Sequence, residues 1–209
     1  MLTAVIPAYD EADSIADVIE ETSRYVDEVL VIDDASTDDT AEIARQAGAR
    51  VVSQPENRGS LAAIKRGFRE AEGEIVVTVD ADGEMPVDRI PDLVAPILAG
   101  EADMVQGARA EIPRISEKLL TYLAGLFGPV GDSGTGFRAL RTELARKLDL
   151  DGHCICGIFA LEVLDHGAEI TQIPIDLRSV PEPRGIAWFH VGQFFDLLRF
   201  LIGGRPVGG

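Results

Sequence analysis

The chain has 209 residues, of which 46% are hydrophobic; this suits one folded domain with a buried core and argues against wholesale disorder. Its 19 basic and 36 acidic residues give a formal net charge of −17, which disfavours nonspecific binding to nucleic acid. Only three of the basic residues are lysines, a pattern that fits either a salty cytoplasm or an ordinary acidic protein from an arginine-rich proteome.

Strands and helices alternate regularly through the first half of the chain. Four apolar runs predict β-strands, at Leu2–Ile6, Glu28–Ile32, Arg50–Ser53 and Glu74–Val79. Apolar residues at helical spacing between these runs predict helices around Ile15, Ile43 and Ile64, with Thr37 or Asp38 placed to cap the second helix. This order predicts an α/β fold, with a mostly parallel sheet flanked by helices on both faces.

The second half of the chain is less regular. Further strands are expected at Met104–Gly107, Phe137–Leu140 and Ile170–Leu177. Helices are expected at Ile115–Phe127 and Phe159–Leu164, and an amphipathic C-terminal helix at Trp188–Ile202. We interpret residues 1–209 as a single domain with a regular half, 1–107, and an irregular half, 108–209.

Polar loops follow the four strands of the first half, at residues 7–11, 33–37, 54–59 and 80–84. Ligands bind beyond the carboxyl ends of the strands in such sheets. Asp80 and Asp82 flank Ala81 directly after a buried strand, and carboxylates at that spacing can share a hard divalent cation. A cation there can clamp a diphosphate and absorb the charge of a nucleotide leaving group. The loops therefore predict a transferase that uses a nucleoside diphosphate.

Five segments carry a resemblance to a known family: Val5–Glu11, Val31–Asp38, Asn57–Gly59, Asp80–Asp82 and Gly134–Arg138. In order and spacing they resemble family 2 glycosyltransferases of the GT-A fold, most closely the dolichyl-phosphate mannose and glucose synthase branch. The resemblance covers roughly residues 3–178. It implies an inverting hexosyltransferase with a nucleotide-diphosphate sugar as donor and a polyprenyl phosphate as acceptor. It also makes residues 1–107 the donor and metal half, and residues 108–209 the acceptor half.

The resemblance implies a divalent metal, Mg²⁺ or Mn²⁺, and a set of donor-binding positions. Asp80 and Asp82 match the metal and diphosphate positions, which makes Asp82 a catalytic candidate, and Glu84 is a possible third ligand where relatives often carry Gln. The matching donor positions are Pro7, Ala8, Tyr9, Glu11, Asp34, Arg58, Asp80, Ala81 and Asp82. Asp33 and Asp34 have a simpler alternative as caps of the following helix.

The acceptor side is expected to hold a phosphate, for which arginine is well suited because it stays charged and binds phosphate through two nitrogens. The candidate phosphate-binding residues are Arg109, Arg114, Ser116, Arg138 and Arg184. The chain departs from the branch after the last predicted strand, where relatives often carry Gly-Glu-Ser-Lys and this sequence reads Val180–Gly185. That difference weakens the assignment of a mannose donor.

Two other functions fit parts of the sequence. A carbohydrate hydroxyl as acceptor needs a base, and Asp132, the second catalytic candidate, is best placed for it, although it could equally form a turn beside glycine. A non-catalytic nucleotide-sugar-binding protein is the other alternative. His153, Cys154 and Cys156 are better explained as small buried residues than as zinc ligands, since a structural zinc site needs four ligands.

A lipid acceptor requires an apolar approach. The segments Leu119–Phe127 and Trp188–Ile202 could face a membrane, or could simply pack on the sheet. Pro7 ends the first apolar run too early for a secretory signal, and no later run is long enough to span a bilayer. The sequence therefore predicts a cytoplasmic protein, held peripherally on the cytoplasmic face of the membrane.

Overall fold

A computed structural model of the protein describes residues 1–110, 115–126, 130–151, 155, 157–178, 192 and 195, with only the backbone described at 115–117. The strands are β1 (Leu2–Ala8), β2 (Glu28–Asp33), β3 (Arg50–Ser53), β4 (Ile75–Thr78), β5 (Met104–Arg109), β6 (Arg138–Arg141) and β7 (Ile170–Ile175). The helices are α1 (Ile15–Thr22), α2 (Thr40–Gln46), α3 (Ser60–Glu70), α4 (Ile90–Ala99), α5 (Ile115–Gly125), α6 (Thr142–Ala145) and α7 (Ile158–Asp165), with a 3-10 turn at Val87–Arg89.

These strands form one seven-stranded sheet in the order β3-β2-β1-β4-β6-β5-β7. Strands β1 to β4 are parallel, and β7 is parallel to β5. The exception is β6, which lies antiparallel between β4 and β5. The predicted single α/β domain with a mostly parallel sheet is therefore confirmed, and β6 and β7, from residues 108–209, belong to the same sheet as the strands of the first half.

The direction of β6 determines where the functional loops meet. Its first residue, Arg138, pairs with Thr78 near the end of β4 and with Gln106 in β5. Because β6 runs in the opposite direction, the loop that enters it lies at the edge where β4 and β5 exit. The segment Gly134–Gly136 is thereby placed beside the segment Asp80–Asp82.

Apolar side chains leave the sheet alternately toward two cores, as expected for strands buried on both faces. Ala4 and Ile6 of β1 face one core with α1, α2 and α4, whereas Val5 faces the other with α3, α5 and α7. In the second core, the rings of Phe68 and Phe159 meet edge to face with their centroids 6.0 Å apart. Such aromatic pairs add to the stabilisation from burial.

Several element boundaries differ from the prediction. Helix α4 has no counterpart in the prediction, and α5 ends at Gly125 rather than Phe127, which is outside the described residues. The predicted helix at Trp188–Ile202 lies outside the described residues apart from positions 192 and 195, as do His153, Cys154 and Cys156. Within the described part of the chain, none of the helices has the length and apolarity needed to cross a bilayer.

Candidate active site

The loops after β1 and β2 are joined by hydrogen bonds at the carboxyl edge of the sheet. The backbone N–H of Thr37 donates to Asp10 Oδ1 at 2.7 Å, and that of Asp10 donates to Ser36 Oγ at 3.1 Å. The N–H of Glu11 donates to Thr40 Oγ1 at 2.8 Å. Asp10 has a φ of 54°, a left-handed conformation that needs such support. These bonds hold the two loops in place independently of any ligand.

Tyr9 projects from this part of the edge and is 42% exposed. Its neighbours are less accessible, because Ala8 is buried and Pro7 is half-buried in β1. The Glu11 carboxylate accepts a hydrogen bond from Ser14 Oγ at 3.1 Å. Among the residues of the first loop that are predicted to bind the sugar nucleotide, Tyr9 therefore presents an aromatic ring to solvent.

The buried side chain of Asp34 organises the third loop. Its carboxylate accepts hydrogen bonds from the backbone N–H of Gly59 at 2.7 Å and of Arg58 at 2.9 Å, and from Gln54 Nε2 at 2.6 Å. The Arg58 side chain turns outward and pairs with Glu56 at 2.8 Å. Asp34 is one of the predicted donor-binding residues, and in this structure its contacts shape the loop after β3. It does not cap α2.

Asp80 follows β4 and packs against the backbone of Gly136. A Cβ added at Gly136 would lie 2.6 Å from Asp80 Oδ1, so only glycine leaves room for the carboxylate. Burial and repulsion from Asp82 raise the pKa of Asp80 to about 6, against an opposing effect of Arg138. A cation bound here would relieve both the burial cost and the repulsion, so these residues suit a divalent metal.

Asp82 and Glu84 form a tight turn around Gly83, whose φ is +76°. The backbone N–H of Glu84 donates to Asp82 Oδ1 at 3.1 Å. Among the described residues, no three His, Cys, Asp or Glu side chains converge closely enough to hold a metal ion. The structure therefore does not form a metal site from the three carboxylates of Asp80, Asp82 and Glu84. Mg²⁺ is commonly held by one or two carboxylates together with substrate phosphates, and this arrangement needs only the pair.

Arg109 and Asp132 form a buried, two-pronged ion pair where β5 ends. Arg109 Nε donates to Asp132 Oδ2 at 2.7 Å, and Nη2 donates to Oδ1 at 2.9 Å. The exposed fractions of the two side chains are only 10% and 4%. Despite burial, which acts in the opposite direction, hydrogen bonds and charge from Arg109 lower the pKa of Asp132. A lowered pKa makes this carboxylate less suited to take a proton, and the predicted role of Asp132 as a base stays a prediction.

Arg138 is fully buried beneath the same loop. Its guanidinium carbon lies 4.6 Å from the centroid of the Phe159 ring, and Nη2 donates to the carbonyl oxygen of Ser133 at 2.9 Å. In this structure the enclosed side chain presents no surface to an acceptor phosphate, and its role in acceptor binding stays a prediction. The positive charge of Arg138 opposes the rise in the pKa of Asp80 and so favours the ionised form of that carboxylate.

Other predicted acceptor residues cannot be placed at the site. Arg114 and Arg184 lie outside the described residues, and of Ser116 only the backbone is described, in α5. Two contacts that hold the site together were not predicted from the sequence, those of Gly136 with Asp80 and of Arg178 with Glu84. The second glycine in Gly134–Gly136 was the available signal for the first contact, whereas nothing in the sequence indicated the second.

A helix-flanked, mostly parallel sheet with a carboxylate pair at its carboxyl edge is the arrangement expected of a glycosyltransferase of the GT-A class. The sequence profile described as Glycosyl transferase family 2 matches residues 3–162, so the chain belongs to this family. It is 26% identical to a dolichyl-phosphate beta-glucosyltransferase of Trichomonas vaginalis, over 96% of this chain and 70% of the relative. It is 31% identical to a dolichyl-phosphate hexose transferase of Haloferax volcanii, over 85% of this chain and 83% of the relative. The chain is a hexosyltransferase of the dolichyl-phosphate branch.

Solved structures show the same fold. The chain aligns with glucosyl-3-phosphoglycerate synthase of Mycobacterium tuberculosis with a TM-score of 0.80 and 29% identity, covering 100% of this chain and 82% of the synthase. That synthase has also been crystallised with Mn²⁺, uridine-diphosphate-glucose and phosphoglyceric acid, in a structure that matches with a TM-score of 0.78 and 26% identity.

Proposed function

We propose that the protein transfers a hexose from a nucleotide-diphosphate sugar to a polyprenyl phosphate in a metal-dependent, inverting reaction. The observation that carries this proposal is the pair Asp80 and Asp82 at the strand edge, where Asp80 packs against Gly136 in the loop that enters β6. A bound divalent cation supplies Lewis-acid stabilisation of the leaving diphosphate. The chain's own part is to hold two half-buried carboxylates next to each other at the sheet edge.

The donor side is formed by the first four loops. The exposed ring of Tyr9 suits stacking on a base, and the loop held by Asp34 presents the backbone of Arg58 and Gly59 beside it. Hydrogen bonds between the first two loops fix their positions before binding, which reduces the ordering cost of binding. We propose that these loops bind the nucleoside, while Asp80 and Asp82 face the diphosphate.

The state of Asp132 favours a phosphate acceptor over a hydroxyl. A hydroxyl must lose its proton to a base, whereas a phosphate monoester already carries an anionic oxygen near neutral pH. Asp132 is held by Arg109 and has a lowered pKa, so it is less suited to act as a base. In the proposed reaction, a phosphate oxygen attacks the anomeric carbon from the face opposite the leaving diphosphate, the new C–O bond forms, and the nucleoside diphosphate leaves with the electron pair of the broken bond.

A soluble phosphorylated acid is a second candidate acceptor, because the Mycobacterium tuberculosis synthase has been crystallised with phosphoglyceric acid. It shares the phosphate monoester with the lipid and differs in lacking the apolar chain. The two acceptors are therefore distinguished by offering each of them to the protein and measuring transfer.

The deciding experiment offers UDP-glucose or GDP-mannose with Mn²⁺ to the protein, together with either a short-chain polyprenyl phosphate in detergent or 3-phosphoglycerate. We expect transfer to the polyprenyl phosphate, with inversion at the anomeric carbon read by NMR of the product. Transfer to 3-phosphoglycerate alone would select the second candidate. No transfer from either donor, with a sugar nucleotide still bound, would favour a non-catalytic binding protein.

An apolar stripe on α5 fits an approach from the membrane. Leu119, Tyr122 and Leu126 are 50%, 67% and 61% exposed, and their spacing puts them on one face of the helix and its end. On the inner side of α5, Thr121 Oγ1 lies 2.8 Å from Oγ of Ser133 in the loop that also carries Asp132. We propose that this stripe rests on the membrane surface and brings the acceptor side close to the lipid phosphate. The cytoplasmic location predicted from the sequence is part of the same proposal.

Replacement of the three stripe residues by serine is expected to weaken binding to phosphatidylcholine vesicles at least about tenfold, because each buries apolar area in the lipid interface. Vesicle flotation measures this loss. Leu98→Ser is the matched control, since Leu98 is 74% exposed on α4, away from the acceptor loop. The net charge of −17 predicts weaker binding to anionic vesicles. Equal flotation of the triple variant and the wild type would contradict a membrane role for α5.

A further inference from the structure

Arg178, three residues beyond the end of β7, contacts three segments that are distant in sequence. Its guanidinium pairs with Glu21 in the last turn of α1 through Nη1, and Nη2 lies 3.5 Å from Asp88 Oδ1 in the 3-10 turn. Its backbone N–H donates to the carbonyl oxygen of Glu84 at 2.9 Å. One residue at the exit of β7 therefore joins α1, the 3-10 turn and the loop that carries the acidic pair.

Glu84 connects this contact to Asp82. Its carbonyl oxygen is held by Arg178, and its N–H donates to Asp82 Oδ1 at 3.1 Å. Gly83 lies between the two acids with a φ of +76°, a conformation that side chains other than glycine rarely adopt. The Asp82 carboxylate is thus held by the N–H of the Gly83–Glu84 peptide, and the next peptide along the chain, Glu84–Met85, is held through its carbonyl oxygen from the β7 side.

The ion pairs of Arg178 are suited to positioning a nearby segment rather than to stabilising the whole fold. Its side chain is 39% exposed, and ion pairs with that much solvent contact add little to global stability. Two carboxylates from separate segments nevertheless fix where the guanidinium lies, and with it the adjoining backbone N–H. A contact of this kind can hold one turn in place without deciding whether the protein folds.

We propose that Arg178 is a positioning residue, which holds Asp82 through Glu84 and so sets the affinity of the acidic pair for a cation and diphosphate. The proposal rests on the proposed function, because it takes Asp82 as a metal ligand. It assigns to the second half of the chain a direct part in shaping the metal site of the first half.

The first test uses the metal-free protein and measures hydrogen exchange at the amide of Glu84. Arg178→Ala is expected to speed this exchange at least about tenfold, because the turn is released on one side. Arg178→Lys is expected to recover part of the protection, since its ammonium can still reach one carboxylate. Arg24→Ala removes another exposed arginine pair next to α1, with Glu20, and should change nothing at Glu84. Unchanged exchange in Arg178→Ala would overturn the proposal whether or not a metal binds.

The second test measures Mn²⁺ binding in the presence of UDP by electron paramagnetic resonance. We expect about tenfold weaker binding in Arg178→Ala, an intermediate value in Arg178→Lys, and wild-type binding in Arg24→Ala, with all unfolding midpoints close together. Wild-type Mn²⁺ affinity in Arg178→Ala would overturn the positioning role. Failure of the wild type itself to bind Mn²⁺ would instead overturn the metal-dependent function, and the exchange measurement would still decide whether Arg178 holds the turn.

Discussion

Asp82→Ala is expected to lower kcat/KM for sugar transfer at least about 100-fold, which corresponds to about 2.7 kcal/mol of lost transition-state stabilisation. The reason is that Asp80 and Asp82 follow β4 as neighbouring carboxylates, and the variant leaves only one of them to hold the cation against the diphosphate. The measurement is steady-state transfer with saturating Mn²⁺, repeated after chelation with EDTA. The wild type should lose activity on chelation and regain it when Mn²⁺ is restored.

The loss in Asp82→Ala should not come from unfolding. Asp82 raises the pKa of Asp80 through repulsion, so its removal relieves strain in the metal-free protein and offsets the hydrogen bond lost from Glu84. We therefore expect the unfolding midpoint to shift by no more than about 2 °C. Asp92→Ala is the control, because Asp92 is 56% exposed on α4 and pairs only at the surface with Arg89. Full activity in Asp82→Ala would contradict the assignment of the metal site.

The fold was predictable where local pattern decides structure. Strands β1 to β4 each contain consecutive apolar residues and are followed by polar loops, and that pattern is visible in the sequence. The direction of β6 depends on which edges it pairs with, and its residues carry no local signal of direction. Helix α4 was missed because it contains Pro91 and Pro96, although a proline in the first turn is well tolerated.

The site was predictable as a set of residue types but not as a set of contacts. Asp80 and Asp82 are two residues apart after one strand, so their proximity can be predicted from the sequence. Arg109 and Asp132 were assigned separate roles in acceptor binding and base catalysis, yet they are each other's partners across 23 positions of sequence. Spacing along the chain cannot indicate such a pairing, because it depends on how β5 and the loop before β6 meet at the sheet edge.

Arg109→Ala is expected to destabilise the protein by about 3–5 kcal/mol, the largest stability effect that the structure indicates. Breaking a buried ion pair leaves its partner charged in a poorly solvated place. Asp132 would keep hydrogen bonds from two backbone N–H groups, those at positions 109 and 134, which do not replace a guanidinium. Urea unfolding at pH 7 measures the change. Arg45→Ala, which removes an exposed pair with Glu42, should cost no more than about 0.5 kcal/mol.

The stability difference between the wild type and Arg109→Ala should depend on pH in a definite direction. In the wild type the pKa of Asp132 is lowered, so its contribution to stability is present above its unfolded-state pKa and is lost as the pH falls through the folded-state value. Without Arg109, burial dominates and raises the pKa of Asp132. The variant therefore loses stability as the pH rises from the pKa of Asp132 in the unfolded state to its pKa in the folded state. The stability gap between wild type and Arg109→Ala should therefore be wider at pH 7 than at pH 4.5.

A double-mutant cycle with Asp132→Ala separates the ion pair from the alternative role as a base. If the two side chains act as a pair, the combined variant is less destabilised than the sum of the single variants, with a coupling of about 1–3 kcal/mol. Asp132→Asn should then also lower stability, because it leaves the Arg109 cation buried beside a neutral amide. Additive single effects, together with an Asp132→Asn variant that is fully stable but inactive, would mean that Asp132 serves catalysis directly. That result would favour a hydroxyl acceptor over a phosphate, because Asp132 would then be able to take the proton of the hydroxyl.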